Sequence, residues 1–272
     1  MTGFAAGEPG LAVREVPNSY PLRRIVAIWA LAVAPMVVLG WVVAPLVGDR
    51  IYREEGIVRG GLLTIGLAWL VVFSLLLVRQ EEGNLAWGTV KRRLRLNAPI
   101  SPRTGQQGGR LWWWVVLLVV LYGLYSVLLE PPIHHAVSAL LPGLAEPDRY
   151  SLDELLKSHD RVAALEGAWW LVLLFAALGF FNIFGEEFLF RGVLLPKMGG
   201  VFAAWTWVAN GLIFALYHLH QPWSIPTASV DGIFLLALPA WYFRSTVVPL
   251  IVHGSQSIYF LVLVIGIVLG LA

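Results

Sequence analysis

Seven stretches of the chain carry no Asp, Glu, Lys or Arg, and their lengths predict the architecture. Residues 25–48 are 24 such positions, residues 60–78, 111–129 and 167–185 are 19 each, residues 198–230 are 33, residues 232–243 are 12 and residues 245–272 are 28. A helix crosses ~30 Å of hydrocarbon at ~1.5 Å per residue, so a span needs ~20 apolar residues. Six runs meet that length. The 12-residue run meets it only by extending back across Asp231 to about Ile225. The pattern predicts seven spans, or eight if the 167–195 region or the 198–230 run is broken in two. The expected fold is all-α: a polytopic membrane helix bundle with about seven to eight transmembrane helices, in a single integral membrane domain over residues 1–272.

Composition narrows the function classes. Hydrophobic residues make up 58% and charged residues 13% of the chain, against about 25% charged in soluble domains. That excludes a water-soluble or disordered chain. A net charge of +2 gives no reason to expect a nucleic-acid partner. With no cysteine, disulfides, thiolate metal sites and a thiol nucleophile are excluded.

Charge between the runs gives sidedness. The first run follows Arg23 and Arg24 and is too long for a signal-peptide core, so it is read as a retained signal anchor. Segment 79–110 is rich in arginine, whereas 130–166 is acidic and holds an apolar periodicity over Leu152–Leu165 that predicts a short surface helix. The positive-inside rule places 79–110, and with it the N-terminus, in the cytoplasm and turns the acidic loop outward. His134 and His135 fall in that outer loop and are assigned no chemistry. Trp112, Trp113, Trp114, Trp169, Trp170, Trp223 and Trp241 sit near run ends, as interfacial aromatics do.

Polar residues inside the later runs are the functional signal. Glu186, Glu187 and Arg191 follow 19 uncharged residues directly, and His218, His253 and Ser257 lie within later runs. A charge at the centre of a span costs about 2.5–3.5 kcal/mol. Such groups must pair or line a wet cavity. Glu187 and Arg191 are four residues apart and can pair along one helix, leaving Glu186 free to work. His253 and Ser257 share a helix face, as do Phe214 and His218. His218 and His220 stand ~200° apart on an α-helix. They are therefore not expected to face one cavity, and His220 is read as a span end.

EEFLFR at 186–191, FALYH at 214–218 and HGSQS at 253–257 resemble the EExxxR, FxxxH and HxxxN motifs of the CAAX-protease and bacteriocin-processing family of intramembrane endopeptidases. The resemblance covers about residues 167–260; nothing is recognised in the first 110. Residues 1–166 are thus read as N-terminal helices and loops, and 167–260 as the motif-bearing helices. No HExxH or GxSxG supports a zincin or a serine protease. Ser257 stands where the family usually has Asn. A hydroxyl can donate one hydrogen bond as an amide can, with shorter reach, so that water or Gln256 would share the task.

The resemblance implies an intramembrane endopeptidase that cleaves a membrane-anchored peptide or protein in the lipid bilayer. Glu186 and His218 would activate water; His253 and Ser257 would hold the developing oxyanion; Glu187 and Arg191 would support them. A metal alternative stays open: Glu186, His218 and His253 form a His2Glu set that suits zinc. The lack of an evident carboxylate behind the histidines leans the reading toward metal-free chemistry. The alternative to an enzyme is a catalytically inactive relative acting as an immunity or adaptor membrane protein; a transporter would be expected to show repeated halves. The expected location is a bacterial or archaeal cell membrane. Two straight antiparallel helices would leave Glu186 and His218 ~12 Å apart in depth. The 196–205 stretch is therefore expected to leave the fifth helix axis, lying along the interface or kinking at Gly199–Gly200.

Overall fold

A computed structural model describes residues 19–271, so the cytoplasmic N-terminus expected from charge lies outside the described residues. Seven helices are long and apolar enough to cross a bilayer: α1 Leu22–Gly48, α2 Glu55–Glu82, α3 Gly109–Leu140, α4 Trp169–Lys197, α5 Gly199–His220, α6 Pro222–Phe243 and α7 Val247–Val268. Among the described residues the only strand-like pairing is one isolated bridge, Ile100 with Gln107. The 33-residue run is broken at Gln221, and the short run before Phe243 gains its length by reaching back across Asp231.

Three departures from the sequence reading have physical causes. Segment 130–140, expected as outer loop, continues α3 as helix Glu130–Leu140. Pro131 and Pro132 fall in its first turn, where a missing N–H leaves no intrahelical bond unmade. His134 accordingly lies on a helix, 3.9 Å from Glu130. The surface helix expected over Leu152–Leu165 forms as two pieces, Leu152–Leu156 and His159–Ala163. Trp223 is buried rather than interfacial, edge-on to Trp41 at 6.2 Å.

The two membrane faces differ in charge. On one, Arg93 reaches from helix Trp87–Arg93 to Glu81 at 2.7 Å and to the Gly192 carbonyl at 3.0 Å. Tyr20 N–H bonds Lys197 O at 2.9 Å and Thr246 N–H bonds Arg95 O at 3.0 Å, so the basic segment ties α1, α4 and the α6–α7 turn together. Burial, with Arg244 and Arg93 close by, brings the Arg95 guanidinium down to about 10. Burial and the Glu81 carboxylate push the Tyr20 phenol up to about 12. On the opposite face Arg161 forks onto Glu54 at 2.6 and 3.1 Å.

α2 and α4 run side by side and touch where a side chain would not fit. A Cβ on Gly185 would stand 2.6 Å from the Leu67 carbonyl oxygen. This contact seats residue 186 against α2. α5 and α6 meet in the same manner, with a Cβ on Gly211 falling 2.7 Å or less from the Ile233 backbone. The 195–205 stretch interrupts the regular helix where α4 ends and α5 begins, with the break at Ala203 rather than at Gly199–Gly200. It forms short turns at Leu195–Lys197 and Ala203–Trp205, with Ala203 at φ +46°.

Candidate active site

Glu186 closes the α-helical part of α4, and residues Glu187–Leu194 continue it as a π-helix. Wide turns of this kind re-aim side chains and recur at functional sites. Glu186 and Glu187 are both buried, and they face different neighbours. Arg191 Nη1 donates to Glu187 Oε1 at 3.1 Å, the pairing expected from their spacing. Its Nη2 donates to the Gly232 carbonyl at 3.4 Å, and the guanidinium lies 4.0 Å over the Phe214 ring.

His253 joins this pair. Its Nδ1 stands 3.0 Å from Glu187 Oε1 and its Nε2 stands 3.0 Å from Asn182 Nδ2 and 4.0 Å from Glu186 Oε2. A carboxylate accepts only, so Nδ1 carries the proton; Nε2 then accepts from the Asn182 amide. The second amide proton of Asn182 is left for another acceptor. Asn182 precedes Glu186 by four residues and shares its face of α4.

His218 and His220 both face the site, which corrects the expectation that they point apart. After Tyr217, α5 tightens into a 3-10 turn at His218–His220. Residues two apart then differ by ~120° instead of ~160°. The rings stack at 5.6 Å with 24° between their planes. The Phe214 carbonyl accepts from His218 Nδ1 at 3.0 Å, which leaves Nε2 as the ring's acceptor.

These groups meet at a cavity of about 330 Å³ whose wall includes Asn182, Glu186, His218, His220, Gln256 and Ser257. His253 contacts that wall through Asn182 and Glu186. No direct hydrogen bond joins Glu186 to His218 among the described residues; both line the cavity. The cavity runs along α2 to Glu54, Arg59 and Tyr150, on the side of the acidic loop. Ser257 packs beside Gly179 of α4. Gln256 instead accepts from Tyr122 at 3.0 Å, and Tyr122 also reaches Asp231 at 3.3 Å.

The His2Glu set does not assemble as a metal site. Among the described residues no three His, Asp or Glu side chains converge on a point that would hold a metal ion. Glu187 does supply the carboxylate behind a histidine that the sequence left unassigned. Yet His253 has both ring nitrogens bonded to protein, so it offers no lone pair to a metal.

Asn182, Arg59, Asp231 and Tyr122 were not legible as site residues. Asn182 is uncharged and lies inside an otherwise unremarkable apolar run. Arg59 bounds a charge-free run, so a count of such runs places it outside the span that in fact contains it.

Residues 168–259 match the family model of the type II CAAX prenyl endopeptidases, Rce1-like. The match takes in Glu186, Glu187, Arg191, His218, His253 and Ser257 and coincides with the segment that the motifs marked. Neither a curated protein nor a solved structure matches the chain. The seven long apolar helices and the match to a family of membrane proteases point to an integral membrane protein.

Proposed function

We propose that the chain is an intramembrane endopeptidase in which Glu186 and His218 activate one water molecule for attack on a peptide carbonyl. The observation that carries this reading is a buried carboxylate on α4 and an imidazole with a free Nε2 on α5, both on the wall of one cavity within the span region. Water in that cavity donates to the Glu186 carboxylate. Its oxygen bonds to the carbonyl carbon as its proton passes to Glu186. The carbonyl π electrons move onto oxygen, where the free amide proton of Asn182 and the Ser257 hydroxyl donate to it. Collapse breaks the C–N bond, and the Glu186 proton leaves with the amine. General acid–base catalysis of this kind contributes about 10²–10⁴-fold.

His253 takes a different part from the one its motif implies. With both nitrogens engaged, it orients Asn182 and links that amide to Glu187 and Arg191. The oxyanion donors on the cavity wall are Asn182 and Ser257. The amide that the family usually carries four residues after this histidine is thus replaced from α4, one turn before Glu186.

The substrate is a membrane-anchored peptide or protein that enters the cavity from the acidic-loop side, which the positive-inside rule makes the outer face. The test is quantitative comparison of the membrane proteome in cells carrying the wild-type chain or Glu186→Gln. An uncut precursor that accumulates only in the variant supports the reading and names the substrate. Identical proteomes, together with wild-type phenotype in the variant, would indicate an adaptor scaffold instead.

A further inference from the structure

Segment 79–110 holds two acidic residues, Glu81 and Glu82, and both are engaged. Glu81 takes Arg93 at 2.7 Å, Arg24 at 3.4 Å and the Tyr20 hydroxyl. Glu82 takes Arg92 at 2.8 Å. Arg95 and Arg244 have no carboxylate within ion-pair distance among the described residues. The charges that act on Arg95 are those of Arg244 and Arg93, and both are positive. Since Arg93 is neutralised by Glu81, Arg95 and Arg244 remain as an uncompensated pair of cations.

The backbone holds that pair together. Thr246 N–H bonds the Arg95 carbonyl at 3.0 Å, Asn97 Nδ2 donates to the Arg244 carbonyl at 3.2 Å and Ile100 N–H bonds the Phe243 carbonyl at 2.9 Å. The Ser245 hydroxyl donates to the Asn97 carbonyl. Both arginines stand at positive φ, +53° and +48°. That region disfavours any residue with a β-carbon, so two strained residues and two like charges are maintained side by side. Among the described residues nothing offsets either cost. Arg244 is exposed and Arg95 half-buried, and neither carries a sealed, unbonded nitrogen, so a group from outside can reach both.

The pair sits where α6 ends at Phe243 and α7 begins at Val247. Phe243 and Val248 pack on Val115, near the start of α3. Trp241 and Tyr242 of α6 and Trp113 of α3 are exposed, as aromatic side chains are at the level of lipid headgroups. The positive-inside rule puts this face in the cytoplasm, beside the leaflet that carries anionic lipids. A guanidinium fork matches phosphate oxygens in pairs, and two forks side by side suit one tetrahedral phosphate.

We propose that Arg95 and Arg244 together bind the phosphate of an anionic lipid in the cytoplasmic leaflet. The phosphate supplies the negative charge that the chain lacks there and clamps segment 94–100 to the α6–α7 turn. Neither arginine lines the cavity that holds Glu186 and His218, so the site is separate from the candidate active site.

The test uses full-length protein in dodecyl maltoside, titrated with phosphatidylglycerol or phosphatidylcholine of the same acyl chains. Native mass spectrometry counts bound lipid, and the unfolding midpoint is followed in parallel. The expected result is a Kd for phosphatidylglycerol about 10–30-fold below that for phosphatidylcholine, the effect of two arginines at an anionic headgroup. In the double variant Arg95→Gln, Arg244→Gln the two Kd values become equal, and the rise in midpoint with phosphatidylglycerol is lost. Arg244→Lys keeps part of the preference, since charge remains without the fork. The control Arg23→Gln, Arg79→Gln removes two exposed cations of the same face and leaves the preference unchanged. An equal loss in that control would mean diffuse surface charge and overturn the proposal. So would equal Kd values for the two lipids in the wild type, or an undiminished preference in the double variant. Inorganic phosphate separates a lipid from a free anion. A midpoint raised as far by millimolar phosphate as by phosphatidylglycerol would overturn the lipid as the source; no rise supports it. If the double variant does not fold, Arg244→Gln decides the matter, because that side chain is exposed. A several-fold loss of preference there supports the site, and an unchanged preference overturns it.

Discussion

His253 places Nδ1 3.0 Å from Oε1 of Glu187, the same oxygen that Arg191 holds at 3.1 Å. One carboxylate oxygen therefore joins α4 to α7, and the arginine that shares it is bonded in turn to the Gly232 carbonyl of α6. Four charged or polar groups are buried as one network rather than as separate costs. The neighbouring Glu186 is left out of that network except for the 4.0 Å approach to His253. In the proposed mechanism the bound carboxylate orients and the second one reacts, a division of labour made by burial and by partners.

Glu186→Gln keeps the shape of the side chain and removes its ability to take a proton. Turnover of a quenched peptide should fall by about 10²–10⁴-fold. Thermal unfolding of the purified protein should stay at or above the wild-type midpoint, because a buried ionisable group has been replaced by a neutral one. Turnover within about threefold of wild type would remove Glu186 from the chemistry.

Arg191→Leu should be the most damaging single change in the network. It leaves Glu187 buried with the imidazole as its only partner, and breaking a buried pair from one side costs about 3–5 kcal/mol. The double variant Arg191→Leu, Glu187→Leu should recover part of that loss, since no orphan charge remains. Denaturant midpoints of the four proteins in the cycle check this. Additive losses would mean that the two side chains do not act as a pair.

The spans were legible because a bilayer tolerates few ways of hiding a backbone, so length and charge-free composition nearly suffice. The Glu187–Arg191 pair was legible because four-residue spacing on a helix is a contact. What failed was inference beyond one regular helix. His220 was placed away from the site by α-helical angles, whereas the chain at His218–His220 is a 3-10 turn. Asn182 carries no charge to draw attention and acquires its role only from His253, which is 71 residues away. Trp223 looked interfacial from its place in the run, but the long run breaks just before it and turns the ring inward against Trp41. A local change of helix type was the missing information for His220, and contacts between helices were missing for Asn182 and Trp223.

Asn182→Ala should lower kcat by about 10²-fold, the usual effect of losing one oxyanion donor, with KM changed by less than about threefold. A purely structural amide would instead lower stability with little effect on kcat of the folded fraction. Ser257→Asn gives the complementary check. An amide restored on α7 should rescue part of the Asn182→Ala loss if both positions face the same oxygen. Absence of any rescue, with both variants folded, would place them on different atoms.

Gly185→Val tests how closely α2 and α4 approach beside the site. Even the Cβ would fall 2.6 Å from the Leu67 carbonyl oxygen, which is backbone and cannot swing aside. Overpacking of this kind costs about 1–3 kcal/mol or more. Because the strain falls next to Glu186, kcat should drop in the fraction that remains folded. A variant with the wild-type midpoint and rate would show that the helices have room to separate.

Glu146 offers a pH test outside the spans. Burial holds its carboxyl above the ordinary value of 4.5; Asp153 adds to the rise, while Ser151, Arg59 and Trp223 oppose it. The folded protein therefore holds this proton more tightly than the unfolded chain. The stabilisation is present at acid pH and is lost as the pH rises from about 4.5 through the raised value. Glu146→Gln cannot lose that proton. Its unfolding midpoint should match the wild type near pH 4.5 and exceed it increasingly as the pH rises, until the wild-type carboxyl is fully ionised. Parallel midpoint curves for the two proteins across that range would show that Glu146 is as well solvated in the folded chain as in the unfolded one.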